Sequence, residues 1–402
     1  MSYKTYWLAA ILAPMLVPAQ AVESKMAQSS THTVFIDNES VFAMGQNNYL
    51  QTDPNLASRT VTVPKFTGIS KIKSVAASRN RSAALTTNGS LIMWGLGAAK
   101  QITLSVNATD MALTASDIYY IVNGEVFRWN YVPTSAPVKL TLAANGKIKS
   151  ISAGDTHVLA LYEDGSVGSI GLNLNGQLGD GTKNPLIAFT KITKGAKALE
   201  ILAVSNSSYI RTSAATYAFG KNSSGQLGLN DLIDRTTPTA IPITGTIKKM
   251  TGNFASAVFL MGDGSVKATG FHNYVGGAAY LSSKGFIPLE GMSGILDVFA
   301  GGQQVFISYG ATGVIRGWGG NGYNQLGDNT MTERHNPTYA YFTPVTPVAP
   351  PTQTMMATAS AAPATKTVTY TSMNDCIKAL GVAAGGQICK TLIVNPHNRG
   401  NG

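Results

Sequence analysis

The sequence predicts an all-β chain, a seven-bladed β-propeller, on three observations. A Gly that closes an apolar strand recurs at Gly45, Gly95, Gly171, Gly220, Gly270 and Gly319. Six residues ahead of four of these lies the Gly of a tight turn, in Asn88-Gly89, Asp164-Gly165, Asp263-Gly264 and Thr312-Gly313. Behind the anchor, a polar loop carries Gln at one fixed offset, as Gln51, Gln177, Gln226 and Gln325.

Each element has a physical reading. A two-residue turn with Gly lets the chain take positive φ and reverse, so the flanking apolar runs become antiparallel strands. In His157-Val-Leu-Ala-Leu-Tyr162 the pattern predicts a strand with apolar side chains in alternation before Asp164-Gly165 turns the chain. A further turn, Asn123-Gly124, places a seventh anchor at Asn130, where Gly is replaced. Anchor spacings of 50, 35, 41, 49, 50 and 49 residues have the period of propeller blades. The 35-residue repeat lacks Gln-Leu-Gly and is expected to have a trimmed outer loop. Pro64, Pro185, Pro238, Pro288 and Pro337 suit strand entrances or outer edges, where a missing N–H costs nothing.

The loop signature is fullest as Gly-x-Asn-x-x-Gly-Gln-Leu-Gly at 171–179 and 220–228, with Gln325-Leu326-Gly327 closely matching. These residues resemble the repeats of the regulator of chromosome condensation family over about 31–347. The resemblance implies a seven-bladed propeller, in agreement with the independent count of anchors. It also implies protein contacts through a propeller face, and in the best-known members nucleotide exchange on a small GTPase.

Boundaries follow from composition. Residues 1–21 read as a signal peptide, with Lys4, an apolar run from Tyr6 to Val17 and Ala19-Gln20-Ala21 as the cleavage site, so the protein is expected to be secreted or periplasmic. Residues 22–30 form a leader, 31–347 the propeller, 348–371 a Pro/Thr/Ala-rich linker and 372–402 a small tail with a Cys pair. Residues 31–45 supply only a hairpin and 337–345 only one strand, so one blade is expected to be shared between the N- and C-terminal segments. Such sharing would leave no open sheet edge at the seam.

Chemistry is harder to find. The five histidines form no metal or catalytic spacing; His32 and His157 each open a repeat strand and read as blade-packing residues. No nucleophile elbow or phosphate loop is present, and the acidic turns Asp180-Gly-Thr and Asp328-Asn-Thr read as Asx turns, so no enzyme activity, cofactor or metal is expected. The net charge of +10 falls to +9 without Lys4, and its scattered basic residues argue against nucleic acid. No stretch after the leader is long and apolar enough for a transmembrane helix, and a monomer is expected.

Surface residues remain. Four residues past three anchors stand Tyr49, Tyr274 and Tyr323, on blades that adjoin in a closed ring, and they read either as a partner-binding arc or as rings packed on their own loops. The expected function is therefore an exported, non-catalytic module that binds an as yet unidentified protein. Guanine-nucleotide exchange on a host small GTPase, and cell-surface or glycan binding, are the alternatives.

The only two cysteines, Cys376 and Cys389, are expected to pair in an oxidising compartment. Closing so short a loop stabilises the tail by about 2 to 3 kcal/mol. Thiol titration of the exported protein under denaturing conditions should find neither cysteine free until reductant is added.

Overall fold

A computed structural model describes residues 26–56, 58–96, 101–130, 135–142, 146–192, 197–271, 282–289, 292–309 and 314–339. Its strands form seven four-stranded antiparallel sheets, each in simple sequence order. These blades span 26–70, 72–105, 110–139, 148–191, 198–240, 247–288 and 295–339, and are numbered here 1 to 7. Contacts between neighbouring inner strands run round the ring, including those between blades 7 and 1.

The core does not lie at one centre. Seven apolar clusters occupy the seven junctions between adjacent blades. In the second strand of blade 4, His157–Tyr162, every residue is buried. Val158 and Ala160 pack towards blade 3, while Leu159 and Leu161 pack towards blade 5. A strand sandwiched in this way is buried on both faces, and its apolar run becomes continuous. The expected alternation is thus replaced by a strand with two inward faces.

The anchor glycines are a requirement of backbone approach. All six take φ between +95° and +118°. At Gly171, a Cβ would lie 2.4 Å from the carbonyl oxygen of Thr156, the residue just ahead of the paired strand. No L side chain fits there without moving the backbone.

The expected shared blade is not how the ring closes. Met26–Gln28, placed by the sequence in the leader, forms the inner strand of blade 1 and pairs in register with Thr33–Phe35. Blade 1 therefore completes its own sheet, and blade 7 completes its own with Arg334–Tyr339. Three residues with no repeat signature suffice because the innermost strand needs only a few ladder bonds. The seam is made by side chains instead. Thr33 Oγ1 donates to the Gln325 carbonyl at 2.8 Å, Gln325 Nε2 donates to the Ser30 carbonyl at 3.1 Å, and Met44 packs among Phe299, Phe306 and Leu326.

The short repeat is trimmed as expected: after Gly95 the outer strand begins at Ile102, and the outer strand of blade 3 is only Val138–Lys139. The Cys pair and the linker lie outside the described residues.

Gly171→Ala should lower unfolding free energy by about 2 to 3 kcal/mol, since it combines positive φ with a backbone clash. Gly322→Ala meets nothing within 4 Å and should change it by less than about 0.5 kcal/mol. Urea denaturation of both variants checks the contrast.

Candidate functional site

One end of the ring carries the long loops that follow the anchors. The turns joining each inner strand to the second lie at the same end, because the second strand starts opposite the anchor, as in the pairs His157 with Gly171 and Ser256 with Gly270. Together they form the loop face.

Two buried side chains fold each of the long loops of blades 1, 4, 5 and 7. Asn173 Oδ1 accepts from the Leu178 N–H at 2.9 Å, while its Nδ2 donates to Asp180 and to the Thr182 carbonyl. Asn222 and Asn321 do the same in blades 5 and 7. Asn47 accepts from the Thr52 and Asp53 N–H groups in blade 1. The Gln then closes the turn: Gln51, Gln177, Gln226 and Gln325 each accept, through Oε1, from the N–H of the residue two before. A loop tied at so many internal points loses little freedom on meeting a partner.

The loops are also fastened to the next blade. Ser82 gives its hydroxyl hydrogen to the Gln51 carbonyl, and Ser208 gives its own to the Gln177 carbonyl. Each serine oxygen then accepts from a histidine of the preceding blade, His32 Nε2 at 2.7 Å and His157 Nε2 at 2.8 Å. Since the single serine hydrogen is used, the imidazoles must be protonated at Nε2. Burial holds both rings neutral, with pKa values lowered to about 3. Both histidines therefore serve blade packing, the role their strand positions suggest.

Of the tyrosine arc, Tyr49 and Tyr323 are exposed by 46% and 43% on the loops of blades 1 and 7. Their backbone N–H groups are the ones held by Gln51 and Gln325, which fixes both residues at equivalent places. Tyr274 lies outside the described residues. Inside the ring, the inner strands surround a central cavity of about 1390 Å³.

The sequence reading missed the cross-blade hydroxyls Thr33, Ser82 and Ser208, because a lone polar residue in an apolar strand carries no repeat signal. It also missed Arg235 and Arg334, which pair with Asp231 and Asp328 within the loops of blades 5 and 7.

Comparison with known proteins agrees with this geometry. The model of the regulator of chromosome condensation (RCC1) repeat matches residues 148–177 and, in a second form, 215–252. These two segments are RCC1 repeats. The chain is 25% identical over 328 residues to the ultraviolet-B receptor UVR8 of Arabidopsis thaliana, covering 72% of this chain and 73% of the receptor. It is 31% identical over 151 residues to the guanine nucleotide exchange factor SRM1 of Saccharomyces cerevisiae, covering 37% of this chain but only 27% of that protein. Among solved structures, Prp20p of Saccharomyces cerevisiae superposes with a TM-score of 0.68 at 17% identity, over 77% of this RCC1-repeat chain and 87% of Prp20p. Human WBSCR16 superposes with a TM-score of 0.54 at 17% identity, over 79% of this chain and 82% of that one. At these identities the superpositions show the shared propeller fold.

The buried histidines make stability pH-dependent. Their folded pKa lies near 3 against 6.5 for an ordinary histidine, so between these values the unfolded chain binds more protons. Stability is full above pH 6.5 and falls as pH drops through that window, with a limiting slope of about 1.4 kcal/mol per pH unit for each histidine. The double variant His32→Gln/His157→Gln uses a residue that blade 7 already carries at that position, Gln304. Urea unfolding between pH 7 and pH 5 should give a shallower slope for the variant than for the wild type; equal slopes would remove the histidines as the cause.

Proposed function

We propose that this chain is an exported, non-catalytic propeller that binds a partner protein through its loop face. The observation that carries the reading is the pair Tyr49 and Tyr323, half-exposed on adjacent blades and mounted on loops whose backbone is fixed by buried Asn and Gln side chains. Rigid aromatic side chains give large contact area at low entropic cost, and they concentrate binding energy in protein interfaces. The relatives support a binding role: one solved structure shows Kap60 bound to yeast RCC1 (Prp20), and Prp20p has binding properties towards Gsp1p and histones. Export is proposed from the signal-peptide reading of residues 1–21 with its Ala19-Gln20-Ala21 site.

A second reading, regulation of nucleotide exchange on a small GTPase, is favoured by the match to the exchange factor SRM1. That match spans about a quarter of SRM1, so the whole protein's activity is not carried over with it. Nucleotide release from a candidate GTPase, assayed with the purified chain, separates this reading from simple binding.

Tyr49→Ala/Tyr323→Ala should abolish capture of the partner in pull-downs from the native surroundings, identified by mass spectrometry, with little loss of melting temperature. Each central aromatic anchor costs about 2 kcal/mol or more on truncation. Full capture by the double variant would end the proposal, and a large drop in melting temperature would show that the rings pack on their own loops.

A further inference from the structure

Away from the tyrosines, the loop face carries a second group of exposed side chains on blades 4, 5 and 6. Leu172 and Leu174 follow the anchor of blade 4, Leu232 and Ile233 stand in the loop of blade 5, and Phe254 caps the first turn of blade 6. Leu174, Ile233 and Phe254 are 72%, 66% and 54% exposed. The two loops are joined: Asp234 accepts from Asn175 Nδ2 of blade 4 at 2.9 Å and from the Asn222 N–H of blade 5 at 2.8 Å. Lys221 bridges to blade 6, with its Nζ 5.9 Å from the centre of the Phe254 ring. Exposed large apolar side chains on the loop face of three successive blades are unusual for a surface that meets only water.

Charge decides what would cover them. The carboxylates of these loops already have their oxygens engaged within the protein. Asp180 holds Asn173 and Thr182, Asp231 holds Asn222, Ile233 and Arg235, and Asp234 holds Asn175 and Asn222. Among the described residues the Lys221 ammonium lies near the Phe254 ring and has no hydrogen-bonding partner. The group at this patch with unused hydrogen-bonding capacity is thus a cation set in apolar surroundings, where a charge-assisted bond to a carboxylate is strongest.

We propose that Leu172, Leu174, Leu232, Ile233 and Phe254, with Lys221, form a docking surface for an apolar peptide segment of a partner protein that carries an acidic residue. The proposal rests on the reading that the loop face binds protein, and it assigns the far side of that face a separate contact with its own chemistry. Leu174 and Ile233 supply the apolar contact, and Lys221 pairs with the partner's carboxylate over the Phe254 ring.

The test uses two fluorescein-labelled Leu-rich peptides, identical except for Glu or Lys at their polar positions, titrated against the full chain by fluorescence anisotropy. The acidic peptide should bind at least about tenfold more tightly than the basic one. Leu174→Ser/Ile233→Ser should weaken it by a similar factor, Lys221→Glu should reverse the preference, and Tyr49→Ala/Tyr323→Ala should leave it unchanged. Because Leu174 and Ile233 are exposed, the Leu174→Ser/Ile233→Ser variant should keep its melting temperature. Equal affinity for the two peptides, or indifference to the Leu174 and Ile233 changes, would overturn the proposal. So would concentration-dependent self-association in sedimentation equilibrium that the Leu174→Ser/Ile233→Ser variant abolishes, since a second copy would then be the occupant. Loss of partner capture in the tyrosine variant alone concerns blades 7 and 1, so the two readings fail separately.

Discussion

A blade in this protein has no outside face of its own: it is pressed between two neighbours, and every junction must be filled from both sides. That constraint explains the apolar runs of the second strands and the narrow tolerance at the anchors. Where Gly171 passes the Thr156 carbonyl, the loop must leave the sheet without a side chain in the way. The polar contacts obey the same rule. Ser208 bonds the Gln177 carbonyl and His157 Nε2 together, so a carbonyl, a hydroxyl and a ring N–H from two blades are buried with those hydrogen bonds made.

Rigid loops are the product of this arrangement. Asn173, Asn222 and Asn321 stand at the centres of their loops because a primary amide can donate twice and accept at once, closing several backbone groups in one place. What such a loop displays at its tip is then free to vary. Tyr49, Ser224, Asn175 and Tyr323 occupy one equivalent position with different chemistry, and the same scaffold holds each of them. Recognition on one repeat can therefore change without disturbing the next.

Legibility in the sequence follows the same physics. The seven blades could be counted because positive φ and close backbone approach leave Gly almost alone at the anchors, and because Gln must stand at one distance to close its loop. The inner strand Met26–Gln28 was invisible, being three residues long and free of any such demand. Reading it as leader led to a shared blade that the ladder of hydrogen bonds replaces with two complete sheets. Tyr49 and Tyr323 could be placed on the loop face from their offset. The apolar group around Leu174 and Ile233 could not, since nothing in the order of residues tells that Asn175 of one loop reaches Asp234 of the next.

Closure by side chains gives the ring the character of a solenoid bent until its ends touch. Among the described residues, the seam between blades 7 and 1 holds the smallest of the apolar clusters, and no strand passes from one terminal segment into the other's sheet. In a linear array, stability is close to a sum of unit and nearest-neighbour contributions. Opening this ring at its seam therefore removes one neighbour contribution out of seven and leaves the remaining six in place. The seam is the hinge line along which the disc can open first, and Tyr323 and Tyr49 stand on either side of it.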